Sequence, residues 1–267
     1  MIIERCHLCV GNSACENQVV NECIPVGAFG RINDKSVKVA TIGLNPASTE
    51  FATFDFNKPK ERSQRLAMLA DYNLTNRTDL LDKDVADAKN RRENYFTDGE
   101  RDCHSYFQKL ESVISRIQPA WSYLTGRIVH IDLVACTTKE RWGKLGQDCK
   151  SNLVKNCRPH FLSALNELPN GTLLLLDGSR AVDAMHQIGK LANGVSFELE
   201  HQGYFSPLIE NRSYIGSLKY NGKLFPFRGW SIPVGVLTLL YRYDLAASLC
   251  KTFSPPLDFL PATRLPQ

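Results

Sequence analysis

The chain has 267 residues, a formal net charge of +4 and 43% hydrophobic residues, enough to bury a core and suited to one domain with insertions. The mild positive charge permits an acidic partner such as nucleic acid without identifying one. No apolar run is long enough to cross a bilayer, and the opening MIIERCHLC lacks the basic-then-apolar layout of a secretion signal. The expectation is a soluble cytoplasmic protein, monomeric and without a membrane partner.

Nine cysteines carry information in such a compartment, because disulfides are disfavoured there and clustered thiols more often serve metals or chemistry. Cys6 and Cys9 form a C-x-x-C at the amino terminus, with Cys15 and Cys23 close behind. The β-branched run from Val37 to Ile42 predicts a buried strand that opens into the turn Gly43-Leu44-Asn45-Pro46. Open α/β sheets hold their ligands at such carboxyl ends. Gly43 lets backbone approach a bound group and Pro46 stiffens the turn, an arrangement that holds Asn45 at the mouth of a pocket.

Phe54 and Phe56 follow, each either a core residue or a flat wall of that pocket. Residues near 58–100 are polar and charged and read as a helical insertion, with helices predicted over Ser63–Ala70 and Asp84–Asn90. Its basic block, Lys89, Arg91 and Arg92, reads as a solvated helix face. His104 to Ile117 has apolar residues at helical spacing and predicts a core-facing helix. A second strand is predicted over Arg127–Ala135, with Asp132 and His130 inside it. A buried carboxylate is costly without partners, so Asp132 is either hydrogen-bonded structurally or reserved for a ligand, whereas His130 reads as structural.

A helix starting near Asp148 carries Cys149 and Cys157, and the apolar run Gly171–Asp177 predicts a doubly covered strand followed by a helix over Gly178–Leu191. Ser213 to Phe227 reads as a hairpin around Asn221-Gly222, and Leu237 to Leu249 as a final helix before an extended, proline-rich tail. This alternation predicts one α/β domain over residues 1–267, a three-layer α/β/α sandwich with a short, mostly parallel central sheet.

The order of these motifs resembles the uracil-DNA glycosylase superfamily from Cys6 to roughly Pro233. GLNPA at Gly43–Ala47 is similar to its first motif in the mismatch-specific and single-strand-selective branches, and Asp132 falls where the second strand ends in a base-reading Asn. Cys6, Cys9, Cys136 and Cys157, the last in CRPHFL, match the cysteine pattern of its iron-sulfur branches. The resemblance implies a DNA glycosylase that flips a nucleotide out of the stack. Asn45 would orient the attacking water, Asp132 and Gly43 would bound the base, and Phe56, or in second place Phe54, would stack on it. The four cysteines would hold a [4Fe-4S] cluster, with zinc as the alternative.

Two departures qualify this expectation. An ionised Asp only accepts hydrogen bonds, which disfavours the uracil O4 and suits an exocyclic amino group. The expected base is therefore a modified cytosine, such as phages carry in their DNA, with host defence as the biological extension. The later His-Pro-Ser motif aligns best with Gly229-Trp230-Ser231, which lacks the histidine, and His201-Gln202-Gly203 with Ser206-Pro207 is the alternative. In the first alignment Arg228, Trp230 and Ser231 meet DNA, with Trp230 either a wedge between base pairs or a core aromatic. A conventional uracil-DNA glycosylase and a non-catalytic member that only binds DNA or a damaged base remain alternatives.

Overall fold

Strands that are apolar on both faces need helices on both sides, and this chain supplies them. A computed structural model describes residues 3–10, 13–15, 18–51, 66–98, 105–206 and 211–252. Its strands are β1 (Ala28–Phe29), β2 (Val39–Gly43), β3 (Ile128–Asp132), β4 (Leu173–Asp177), β5 (Val195–Ser206), β6 (Asn211–Tyr220) and β7 (Lys223–Trp230). The helices are α1 (Asp82–Glu93), α2 (Ser105–Ile117), α3 (Gln147–Glu167), α4 (Ser179–Leu191) and α5 (Leu239–Thr252). Among the described residues no helix is long and apolar enough to cross a membrane.

The sheet has seven strands in the order β1-β3-β2-β4-β7-β6-β5. Its centre, β3-β2-β4-β7, is parallel. β2, β3 and β4 are buried at every position, as their uninterrupted apolar runs require. Alternate residues then divide between two layers. Ala40, Ile42, Val129, Ile131, Leu174 and Leu176 pack with Leu153 and Phe161 of α3 and Ile188 of α4. Val39, Ile128, Leu173 and Leu175 pack with Leu110 and Ile114 of α2 and Leu245 and Leu249 of α5. The odd-numbered residues of β2 and β4 and the even-numbered residues of β3 therefore face α2.

The sheet is wider and more mixed than the sequence suggests. β1 adds an antiparallel edge, and beyond β7 the predicted hairpin turns at Asn221-Gly222, both at positive φ (48° and 74°), into β6 and then the twelve-residue β5. Val195, Phe197 and Leu199 alternate with Ser196, Glu198 and Glu200, a period-two signal for β5 that the motif-led reading passes over. His201-Gln202-Gly203 lies inside this strand, paired with β6, so it is no ligand-binding loop.

The helix expected over Ser63–Ala70 is absent from its described part. Met68 instead forms an antiparallel bridge to Cys23, and a 3₁₀ turn follows over Leu69–Tyr72. Leu69 is drawn into a small core with Ile24, Ala67, Leu80 and Ala88, which ties the insertion to the amino-terminal segment. The basic block is not a uniformly solvated face: Lys89 is exposed, but Arg91 is largely covered and pairs with Asp71 at 3.2 Å and Asp87 at 2.9 Å, and Arg92 turns in to the buried Glu4 at 3.4 Å. Phe54, Phe56, the start of the Ser63 helix and the proline-rich tail lie outside the described residues.

Trp230 is a core residue. It is 0% exposed and its Nε1 donates to Asp177 Oδ1 at 2.7 Å, so a wedge role at this position is overturned. Arg228 is half-buried beneath α5, near Leu245 and Leu249, with Nη1 donating to Phe227 O. Ser231 is tied to the start of β6, its Oγ accepting from Arg212 N at 2.8 Å. Of the three, Trp230 is withdrawn from solvent altogether, while Arg228 and Ser231 are partly exposed. Trp230→Ala is expected to cost about 3–5 kcal/mol in denaturant unfolding, the range for emptying a packed aromatic site; a surface wedge would leave the midpoint unchanged.

Candidate functional site

The carboxyl ends of β2, β3 and β4 bring Gly43, Asp132 and Asp177 to one edge of the sheet, on its α2 side. A cavity of about 300 Å³ opens there, lined also by Asn45, Glu50, Tyr106, Phe107 and His130. Asn45 and Asp132 thus face a common space, as the sequence predicts. Gly43 pairs with Asp132 across the parallel ladder, and a Cβ on it would lie 2.5 Å from Asp132 Oδ1 and 2.8 Å from His130 Nε2. Only glycine fits.

His130, read from sequence as structural, forms part of the cavity wall. Its Nε2 is 3.2 Å from Asp132 Oδ1 and its Nδ1 is 2.8 Å from Thr41 Oγ1, which also meets Tyr123 OH at 2.8 Å. Thr41 has one proton, given to Val129 O at 3.2 Å, to Tyr123 OH or to Nδ1, and in the first two cases Nδ1 is itself the donor to Thr41. In every consistent arrangement a proton sits between Nε2 and Oδ1. Asp132 lines the cavity and keeps its second carboxylate oxygen as an acceptor.

Asn45 is oriented by its neighbours. Its Nδ2 lies 3.2 Å from Thr138 Oγ1 and 3.3 Å from Pro46 O. Thr138 donates its own proton to Glu140 O at 2.8 Å, so it can only accept from Asn45, and this fixes which end of the amide is nitrogen. Asn45 Oδ1 is left without a protein partner among the described residues, available to hold a water. Thr138 is a positioning residue that sequence reading did not single out.

Glu50 was also missed. It ends a 3₁₀ turn over Ser48–Glu50, and its carboxyl accepts from Tyr95 OH at 2.8 Å and from Ala47 N at 3.2 Å. Burial, with Asp132 nearby, pushes that carboxyl up to about 8. Burial also raises Asp177, although Val234 N at 2.8 Å, Tyr106 and Trp230 donate to it. Among the described residues no lysine or arginine lines this cavity.

An open groove of about 880 Å³ leads away from the cavity and shares Asn45, Pro46 and Ala47 with it. Its other wall carries Lys139, Arg141, Trp142 and Lys144, with Glu140 as the single acidic residue. Arg180 borders this wall, since a Cβ on Gly143 would lie 2.7 Å from its Nη1.

Cys9, Cys15, Cys136, Cys149 and Cys157 gather on the opposite face of the sheet, in the α3 layer, whereas Cys23 packs in the α2 layer. Cys9, Cys136 and Cys157 are buried with their sulfurs within 4.8 Å of one another, a group that can bind a metal. Cys6, expected as the fourth ligand, is not in this group; its thiol accepts from Leu8 N and lies close enough to Cys136 to feel its charge. Cys6 is buried as well, beside Arg77. Bonding from Cys157 and Cys9, with Arg77 nearby, holds the Cys136 thiol well below its ordinary range, whereas bonding to Cys136 raises Cys157 and Cys9. Cys15 and Cys149 form a second pair, Cys15 being pushed up to about 12 chiefly by burial.

Arg77, hidden in the polar insertion, is the informative neighbour. It is 1% exposed and donates to the carbonyls of Cys6, Val20 and Asn21, with Nη1 at 3.9 Å from Cys136 Sγ. No carboxylate among the described residues pairs with it. A buried cation without a counter-charge costs several kcal/mol, so the arrangement calls for thiolate at Cys136, the form that ligates metal.

No family model, no curated protein and no solved structure matches the chain. The fold and site define an α/β protein with a carboxyl-lined cavity at the edge of its parallel strands and a buried thiol group behind them. Replacing Cys9, Cys136 and Cys157 together by Ser is expected to abolish bound metal in anaerobically purified protein, as read by elemental analysis, while Cys250→Ser leaves it in place.

Proposed function

We propose that the protein is a DNA glycosylase of the uracil-DNA glycosylase type, hydrolysing the N-glycosidic bond of a flipped-out pyrimidine and leaving an abasic site. The observation that carries this reading is the convergence of Asn45 and Asp132 on one cavity at the carboxyl ends of adjacent parallel strands. A base inside duplex DNA is out of reach of any such cavity, so the nucleotide must leave the stack. Asn45 Oδ1 then positions a water against the sugar carbon, a gain of orientation and not of basicity.

Asp132 Oδ2 accepts from an exocyclic amino group, as on cytosine, and would meet a uracil O4 oxygen to oxygen. Removing ordinary cytosine would damage the cell's own DNA, so the proposed base is a modified cytosine, and defence against phage that carry one is the biological extension. Tyr106 and Phe107 supply ring walls among the described residues. Lys139, Arg141, Lys144 and Arg180 contact phosphates along the groove, with Trp142 as a stacking surface. The wedge role passes from Trp230 to Val236, which is 72% exposed just beyond Pro233 of the cavity rim.

The thiols fit a soft metal or cluster. Cys9, Cys136 and Cys157, joined by Cys6, would hold a [4Fe-4S] cluster that cross-links the amino terminus to the sheet. Zinc is the alternative, since sulfurs about 2.3 Å from one tetrahedral ion stand about 3.8 Å apart, compatible with the spacing of the group. Iron with equimolar sulfide in purified protein supports the cluster, and zinc without sulfide replaces it. A second reading, binding without cleavage, is favoured by Gly229-Trp230-Ser231, which offers no histidine to assist a leaving base.

Oligonucleotides containing uracil, cytosine, or hydroxymethylated or glycosylated cytosine, cleaved with alkali after incubation, decide between these readings. Release of the modified cytosine is expected, with Asn45→Ala lowering it at least a hundredfold and Asp132→Asn moving preference toward uracil. Preferential release of uracil by the unaltered protein would overturn the base assignment, and binding without release would favour the second reading. Reversing Lys139, Arg141 and Lys144 to Glu should weaken oligonucleotide binding and flatten its salt dependence, the slope falling by about 0.7–0.9 for each phosphate no longer neutralised.

A further inference from the structure

The glycosylase reading leaves one chemical need unmet. A cytosine-type base is a poor leaving group as an anion, and no histidine stands at the later motif. Glu50 lies in the same cavity as Asn45 and Asp132, on the turn that follows Asn45 directly. Its carboxyl is fixed by Tyr95 OH and Ala47 N, and both of those groups donate to it. Around it stand Asp132 and His130 of β3, Tyr95, Tyr106 of α2 and Asp177 of β4, and no lysine or arginine lines the space among the described residues. An ionised Glu50 is therefore opposed by Asp132 and meets no lysine or arginine in the cavity wall.

We propose that Glu50 is the general acid of this site: it donates a proton to a ring nitrogen or carbonyl oxygen of the flipped base as the glycosidic bond breaks. This rests on the glycosylase reading and adds the missing leaving-group step. The C1′–N1 bond breaks with its electron pair going to the base, and the Glu50 proton neutralises the charge that develops there. The water held by Asn45 adds to C1′, and its proton passes through solvent to the Glu50 carboxylate, restoring the acid. Burial beside Asp132 supports the assignment by raising Glu50 to about 8, which keeps the acid protonated at neutral pH.

Glu50→Gln keeps one acceptor oxygen for Ala47 N, and its amide nitrogen can donate to a Tyr95 hydroxyl turned to accept, but the acidic proton is gone, so it separates chemistry from loop support. The test compares base release by the unaltered protein and by Glu50→Gln, using the modified cytosine and a 5-fluorocytosine nucleotide, which keeps the exocyclic amino group while its electron-withdrawing fluorine makes the base a better anionic leaving group. The expected result is a loss of about 10²–10⁴-fold on the modified cytosine, the usual contribution of a general acid, and a much smaller loss on the fluorinated one. Equal losses on both substrates, or none on either, would overturn the role of Glu50 while leaving the glycosylase reading standing. Release of no base by the unaltered protein removes that reading and this proposal together. The pH profile of the unaltered protein gives a second readout independent of any variant: release should fall about tenfold per pH unit above about 8. A rate that stays level or climbs through that range would overturn the acid role.

Discussion

The register between β2 and β3 is the constraint on which the site depends. It seats Gly43 opposite Asp132, and it continues past the strand ends, where Leu133 N donates to Gly43 O at 3.2 Å and Val134 N to Leu44 O at 2.8 Å. These bonds carry the chain from the carboxylate to Thr138, which holds the Asn45 amide. A slip of one residue would turn every side chain of β3 to the other face and take Asp132 out of the cavity. The strand therefore ends at Asp132 and not at Ala135, because the next residues bond to the turn.

The same short segment joins two faces of the molecule. Asp132, at its start, belongs to the layer of α2; Cys136, a few residues on, belongs to the thiol group in the layer of α3. Anchoring Cys136 restrains the backbone that presents Thr138, without any bound group reaching the cavity. Arg77 links the polar insertion to this arrangement by holding the amino-terminal carbonyls and the Cys136 sulfur at once. What reads as loosely organised polar sequence supplies the buried charge that favours thiolate.

Much of this architecture is legible in the residues, because β2, β3 and β4 are short apolar runs closed by Gly43, Asp132 and Asp177, and period and punctuation identify them. Asn221-Gly222 declares its hairpin for the same reason. Glu50, Thr138 and Arg77 are not legible, since each gains its meaning from a partner distant in sequence: Tyr95, Asn45 and Cys136. Trp230 misleads in the opposite way, for an aromatic at a motif position looks available until Asp177 claims its indole. Cys6 is buried near Cys136 and Arg77, outside the three-sulfur group that Cys9 joins.

Gly43 carries a consequence beyond this molecule. Its missing side chain is what allows an imidazole and a carboxylate to close over the backbone. In any divergent copy of the gene that encodes alanine or a larger residue at that point, Asp132 or His130 must have moved aside or been replaced. The three positions therefore form a unit of inheritance, and paired changes among them would sort copies that keep this cavity from copies that have abandoned it.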